Sequence, residues 1–169
     1  TDEYAITSRV NEFQRGMGDP TTSAMNTSRL DGRTVTEDEL NNAVNSMPFL
    51  AAQRLIIFSS PTARYTQASP QKKFLEFLKQ APESANLILI EIGQLKDTHW
   101  LVKWARNAGQ NVDAQAYNMP KLREMPEWIV KEAQAQGGKI DRQAAARLAE
   151  MTGEDTRQAS QEITKLLTY

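Results

Sequence analysis

The sequence predicts an α/β fold, a parallel sheet flanked by helices, followed by a small domain of three helices. Two continuous apolar runs, residues 55–58 and 87–90, are typical of strands that are covered on both faces. Helical patterns alternate with these runs, which indicates parallel pairing. After residue 120 three helical patterns follow one another with no strand between them. We therefore expect an α/β domain over residues 1–120 and a three-helix domain over residues 121–169.

The first predicted elements are a helix, a weak strand and a second helix. Asp2 is a candidate N-cap for the opening helix. A weak strand is predicted near residues 24–30 and closes at the turn dipeptide Asp31-Gly32. Thr36 and Glu39 form a capping box, which marks the start of the second helix.

The remaining elements are read from proline positions and from apolar periodicity. Ser69-Pro70 starts a third helix with proline in its first turn. Residues 98–108 have a helical pattern, and the alternation over residues 111–117 predicts a further strand. The three helices of the second domain are predicted at residues 126–136, 141–152 and 154–168.

Composition is that of an ordinary globular protein and excludes several classes of function. Of 169 residues, 40% are apolar and 24% are charged, and the net charge is −1. This charge argues against a mainly electrostatic binder of nucleic acid or membrane. The absence of cysteine excludes disulfides, thiol catalysis and thiolate metal sites. No apolar run approaches the roughly 20 residues that span a bilayer, and the acidic start is unlike a signal peptide. We expect a cytoplasmic protein.

Catalytic and metal-binding signals are weak. The single histidine, His99, lies beside Trp100 on a predicted helix, which is typical of a surface or partly packed side chain. No spacing of His, Asp or Glu resembles a metal site, and no Gly-x-Ser-x-Gly nucleophile motif occurs. We expect no cofactor and no catalytic residue.

A nucleotide site is not recognisable either. Gly16-Met17-Gly18 lacks the Lys-Ser/Thr ending of a phosphate-binding loop, and Gly137-Gly138-Lys139 lies between two predicted helices. Glu91 follows a buried strand, but on its own it is weak evidence, and a surface carboxylate at a strand end is the favoured explanation. An active ATPase whose phosphate loop lies upstream of residue 1 remains an alternative function.

A second alternative is a DNA-binding adaptor. Lys72, Lys73 and Lys79 lie on one predicted helix and could contact phosphates. Charge runs of this kind are usually solvated helix faces.

An unusual apolar segment joins the second helix to the first buried strand. Short connections are normally polar, but this one contains Met47, Pro48, Phe49 and Leu50 in a row. If these side chains are exposed, they form a hydrophobic plug for a pocket in a partner protein. The alternative is that Phe49 and Leu50 belong to the core under the sheet.

Several segments carry a resemblance to a known family. They are Asp2-Glu3-Tyr4, Ser46-Met47-Pro48-Phe49-Leu50-Ala51-Ala52-Gln53-Arg54-Leu55, Pro126-Glu127-Trp128-Ile129, Ile140-Asp141-Arg142-Gln143-Ala144-Ala145 and Thr152-Gly153-Glu154-Asp155-Thr156. The closing segment, Gln161-Glu162-Ile163-Thr164-Lys165-Leu166-Leu167-Thr168-Tyr169, is the most specific. Over essentially the whole chain, these segments resemble the delta subunit of the bacterial DNA polymerase III clamp loader.

The resemblance implies an AAA+-type fold, a RecA-like domain followed by a three-helix lid, without a working ATP site. It implies a non-catalytic subunit of an assembly that resembles DNA polymerase III holoenzyme, a DNA-directed DNA polymerase. In this family an apolar tip inserts into the ring-shaped sliding clamp and favours ring opening. That role falls here to Met47, Pro48, Phe49 and Leu50, with Phe49 and Leu50 as the principal anchors.

The resemblance also implies partners and missing parts. The partners are the sliding clamp, the gamma/tau and delta prime subunits, and primed DNA within the assembly, with no membrane. The family's first strand and its C-terminal collar domain are not recognisable in the sequence. We therefore expect the chain to be a fragment of a longer protein.

Overall fold

The structure, a computed structural model, describes residues 1–109 and 111–168. Tyr169, which ends the closing segment quoted above, lies outside the described residues. Two compact units are formed: a sheet unit, Ile6–Ala116, and a helical unit of Thr1–Ala5 with residues 117–168. The boundary between residues 120 and 121 stays a prediction. Along the described stretches, no helix combines the length and apolar character needed to cross a lipid bilayer.

Among the described residues, helices and strands are interspersed up to residue 90, and only helices follow. In order they are α1 (Glu3–Gly16), α2 (Pro20–Met25), β1 (Thr27–Asp31), α3 (Glu37–Asn45), β2 (Arg54–Ser59), α4 (Pro61–Arg64), α5 (Ala68–Lys79), β3 (Ala85–Ile90), α6 (Trp100–Asn107), a 3-10 turn (Leu122–Glu124), α7 (Met125–Ala135), α8 (Arg142–Thr152) and α9 (Thr156–Thr168). The predicted class, a parallel sheet with flanking helices and a three-helix unit after it, is confirmed.

The sheet has β2 at its centre, paired in parallel with β1 on one side and β3 on the other. Successive side chains of a strand point to opposite faces. Ile56 and Phe58 therefore pack against α3 and α5, while Leu55 and Ile57 pack against Val10 of α1. The prediction of a strand covered on both faces is confirmed for β2.

An aromatic cluster fills the core between the sheet and α5. Phe74 of α5 lies at its centre, with ring centroids 4.2 Å from Tyr65, 5.8 Å from Phe58 and 6.4 Å from Trp100. Trp100 is the first residue of α6. One large side chain on α5 thus joins the sheet, the segment after α4 and the start of α6.

The turn after β1 requires a glycine for space rather than for its backbone angles. The N–H of Gly32 donates to the Ser59 carbonyl at 2.8 Å. A Cβ at Gly32 would lie 2.3 Å from the Ser60 carbonyl oxygen. Only glycine therefore allows the end of β1 to lie this close to the end of β2.

Two predicted boundaries and one predicted strand differ from the structure. The weak strand predicted near residues 24–30 is β1, but it begins later, at Thr27, because the short helix α2 extends to Met25. The third helix begins at Ala68, before Pro70. The strand predicted at residues 111–117 is wrong, because all these described residues lie outside strands. Its alternating residues include two exposed alanines, whose small area contributes little on burial.

The helical unit is built around a core shared by α7, α8 and α9. Buried side chains from all three helices meet there: Met125, Ile129, Ala133, Ala145, Leu148, Ala149, Ala159 and Ile163. The first residues of the chain join this unit through Asp2. Its Oδ1 accepts hydrogen bonds from the Ala5 N–H at 3.0 Å and from the Thr156 hydroxyl at 2.9 Å. The prediction of Asp2 as the N-cap of α1 is confirmed.

Substituting Gly32 should destabilise the sheet unit. We expect Gly32→Ala to lower the free energy of unfolding by about 1–3 kcal/mol, because the new methyl group overlaps a backbone carbonyl. Gly16→Ala is the matched control, since a Cβ at the end of α1 meets open space. Chemical denaturation of both variants checks the difference, and equal stabilities would contradict the close-approach argument.

Candidate functional site

The apolar tip, defined as Met47, Pro48, Phe49 and Leu50, lies between the end of α3 and the start of β2. The helix before it ends at Asn45, and the Ser46 N–H donates to the Asn42 carbonyl at 3.0 Å. Met47 precedes a proline, which disfavours the α conformation at that residue. The chain therefore leaves the helix before the tip begins.

The start of α3 is fixed by the capping box that the sequence predicts. The Glu39 N–H donates to the Thr36 hydroxyl at 3.2 Å, and the Thr36 N–H donates to Glu39 Oε2 at 2.7 Å. The backbone hydrogen bond from Thr36 lowers the pKa of Glu39. The opposite end of α3, where the tip begins, carries the negative end of the helix dipole and no charged side chain.

The tip presents its side chains to solvent. Met47 is 88% exposed, Leu50 is 84% exposed and Phe49 is 56% exposed, whereas Pro48 is half-buried. The alternative in which Phe49 and Leu50 form part of the core is therefore wrong. Clustered exposed apolar side chains mark interaction sites more often than single ones do.

The backbone of the tip is held by Asn26, a buried residue that is 1% exposed. Asn26 Oδ1 accepts a hydrogen bond from the Phe49 N–H at 2.6 Å, and Asn26 Nδ2 donates to the Phe49 carbonyl at 2.8 Å. The second amide hydrogen of Nδ2 is donated to the Thr22 carbonyl at 2.8 Å. One side-chain amide thus satisfies both backbone groups of Phe49.

Asn26 is positioned by α2, which ends at the preceding residue. Asp19 caps the start of this helix, because its Oδ1 accepts from the N–H groups of Thr21 and Thr22 at 3.0 Å each. The pKa of Asp19 is lowered chiefly by a hydrogen bond from the Thr22 side chain, and further by the N–H groups of Thr22 and Thr21. At the other end, the Asn26 N–H donates to the Thr22 carbonyl at 3.1 Å.

Two further backbone features fix the path of the tip. Leu50 has φ +50°, in the left-handed region that costs a non-glycine residue about 1–2 kcal/mol. The chain then enters β2, where the Leu55 N–H donates to the Asn26 carbonyl and the Arg54 N–H to the Ser84 carbonyl, both at 2.8 Å. The tip therefore has a fixed base and free side chains, a geometry suited to insertion into an apolar pocket.

The carboxylate and the histidine that the sequence singled out have structural partners. Glu91 Oε1 accepts from the Thr62 N–H at the start of α4, at 2.6 Å. His99 is the N-cap of α6, and its Nδ1 accepts from the Leu101 N–H at 3.3 Å. Over residues 1–109 and 111–168, no three acidic or histidine side chains gather as a metal site would require.

The lysines of the proposed DNA-binding face lie on α5 and are exposed. Lys79 pairs with Glu76 at 2.9 Å. The same glutamate lines a shallow surface depression with Lys72 and Lys73. Positive charge on this face is therefore partly neutralised.

Sequence reasoning missed Asn26 and the helix that positions it. The signal for α2 was present, because Asp19-Pro20 combines an N-cap residue with proline at the first helical position. No local signal identifies Asn26 itself, since its partner lies 23 residues further along the chain. Only the paired strands bring the two together.

Comparisons with known proteins agree with this architecture. The model of a protein family described as DNA polymerase III, delta subunit, matches residues 1–115. Among solved structures, the DNA clamp loader delta protein of Bacillus subtilis is similar to this chain with a TM-score of 0.80 and 18% sequence identity. The match covers 99% of this chain and 50% of that protein, so the chain spans half the length of its relative.

At this identity the structural likeness shows the fold alone. It agrees with the predicted architecture, a parallel sheet flanked by helices and followed by a helical unit. A comparison with curated proteins gave no significant sequence match.

Truncating the exposed side chains of the tip should leave the fold intact. We expect Met47→Ala and Leu50→Ala each to change the free energy of unfolding by less than about 0.5 kcal/mol, because neither side chain is buried. Leu55→Ala, five residues from Leu50 but inside the core, should cost about 2–5 kcal/mol. Thermal and urea unfolding of the three variants check this contrast. A large loss of stability in Leu50→Ala would show that the tip is part of the core.

Proposed function

Because the chain belongs to the DNA polymerase III delta subunit family, we propose that it is a non-catalytic clamp-loader component that binds a ring-shaped sliding clamp through the apolar tip and favours opening of the ring. The observation that supports this most directly is the exposure of Met47, Phe49 and Leu50 on a backbone held by buried hydrogen bonds. The proposal includes the gamma/tau and delta prime subunits and primed DNA as further partners, in the cytoplasm.

The chemistry of the tip suits an apolar pocket on the clamp. The whole segment from residue 40 to residue 53 contains no charged side chain. Docking therefore requires no charge to leave water, which would otherwise oppose binding. Burying the Phe49 and Leu50 side chains contributes roughly 1.5–3 kcal/mol each, so these two anchors dominate a small interface.

The proposal assigns no reaction to this chain. The candidate carboxylate Glu91 is engaged at the start of α4, where its Oε1 accepts from the Thr62 N–H. That use of Glu91 favours a structural role over magnesium binding, and so favours a clamp-binding subunit over an active ATPase.

Ring opening requires more than binding. A ligand shifts an equilibrium only by its difference in affinity for the two states. The tip must therefore bind the open or strained ring more tightly than the closed one. A fixed tip backbone favours such a difference in affinity. A rigid tip cannot change its own conformation to fit the pockets of both ring states equally well.

The first test is binding of the 169-residue chain to the sliding clamp of the same organism. We expect the double variant Phe49→Ala/Leu50→Ala to bind at least about a hundredfold more weakly, because both anchors are lost. Calorimetry or surface capture measures the affinity, and thermal unfolding checks that the variant is folded.

The matched control is the double variant Phe13→Ala/Ile92→Ala. It removes the same kinds of exposed apolar side chain from the sheet unit, one on α1 and one after the carboxyl end of β3. We expect it to bind like the unsubstituted chain. Equal binding by the tip variant and the control would contradict the assignment of the tip.

The second test addresses ring opening directly. A clamp trapped on circular DNA should dissociate faster when the chain is added, because binding favours the open ring. The tip double variant should leave the lifetime of the clamp unchanged. Tight binding without any change of clamp lifetime would refute the ring-opening step while preserving clamp binding.

A further inference from the structure

We propose that Asn26 is a positioning residue for the clamp-binding tip: its side-chain amide holds the backbone of Phe49 in the conformation that docks. This inference rests on the proposed function and adds to it a residue outside the tip. Asn26 is buried and does not itself present a surface to a partner.

The Asn26 side chain makes two hydrogen bonds to the backbone of Phe49. Oδ1 receives the N–H of Phe49 at 2.6 Å, and Nδ2 donates to the carbonyl of the same residue at 2.8 Å. Because both backbone groups of one residue are engaged, the peptide planes on either side of Phe49 cannot rotate without breaking a hydrogen bond. The third bond, to the Thr22 carbonyl, fixes the amide itself.

Release of the tip would be unfavourable because the amide is buried. If Phe49 moved away, the Oδ1 acceptor and one Nδ2 hydrogen of Asn26 would lose their partners inside the protein. Buried polar groups without partners are costly. The contact therefore favours one tip conformation over a set of mobile ones.

The backbone angle of Leu50 gives independent support. A non-glycine residue with φ +50° persists only where its surroundings hold it in place. The residue directly before Leu50 is the one that Asn26 holds. The left-handed backbone of Leu50 and the hydrogen bonds from Asn26 thus constrain the same short segment. Together they orient the exposed side chains of Phe49 and Leu50.

A tip whose conformation is fixed before docking binds more tightly, because less conformational entropy is lost on binding. For a tip that is in its docking conformation only part of the time, the measured dissociation constant rises in inverse proportion to that fraction. We expect Asn26→Ala to weaken clamp binding by about tenfold or more, although every apolar anchor is retained.

Asn45→Ala is the matched control. It removes the same side-chain amide from the last residue of α3, close to the tip in sequence, where Asn45 Nδ2 donates to the carbonyl and the Oδ1 of Asn41 in the same helix. We expect its clamp affinity to equal that of the unsubstituted chain. If Asn26→Ala proves unfolded, Asn26→Ser replaces it, because its hydroxyl can keep the bond to the Thr22 carbonyl, four residues back, while both bonds to Phe49 are lost. It too should bind more weakly.

Amide hydrogen exchange supplies a readout that does not involve the clamp. In Asn26→Ala the Phe49 amide should exchange faster, since its acceptor is the deleted side chain. The Leu55 amide should keep its protection, because its acceptor is the main-chain carbonyl of Asn26. A general loss of structure would accelerate both amides alike.

The outcomes separate this inference from the proposed function. Weaker binding with selective exposure of the Phe49 amide supports the inference. Unchanged binding by Asn26→Ala, or by Asn26→Ser where that variant replaces it, overturns the inference and leaves clamp binding standing. Failure of the unsubstituted chain to bind overturns both, and the exchange experiment then still reports whether Asn26 holds the tip backbone.

Discussion

The central strand β2 is enclosed on both faces, and its residues Leu55–Phe58 are all buried. Parallel pairing requires each connection to cross back over the sheet. The connection from β1 to β2 therefore leaves the end of β1, runs through α3 and brings the chain back to the start of β2. The tip lies at that return point, so burial of β2 determines where the apolar side chains emerge.

Asn26 connects the sheet to the tip. It directly precedes β1, and its carbonyl accepts from the Leu55 N–H as β2 begins. Its side chain engages Phe49 on the same approach to β2. The pairing of β1 with β2 and the path of the tip are therefore stabilised by one residue. The tip can be apolar without collapsing onto the core, because both backbone groups of Phe49 already have hydrogen-bond partners.

Sequence reasoning succeeded where the cause of a structure is local. The capping box of Thr36 and Glu39 and the apolar run of β2 depend on neighbours within a few residues, and both are confirmed. It failed at residues 111–117, where alternation was carried mostly by alanine and supplied too little area to bury. It also overlooked α2, although Asp19-Pro20 signals a helix start.

By itself the sequence determined the α/β class, the helical second unit, and the uncharged, apolar character of the segment that joins α3 to β2. Only the tertiary structure decided that Met47, Phe49 and Leu50 are exposed, that Leu50 adopts a left-handed backbone, and that Asn26 is buried against Phe49. The reason is physical. Caps and periodicity are set by residues within one or two turns, whereas exposure and long-range hydrogen bonds arise only when distant segments pack and exclude water together.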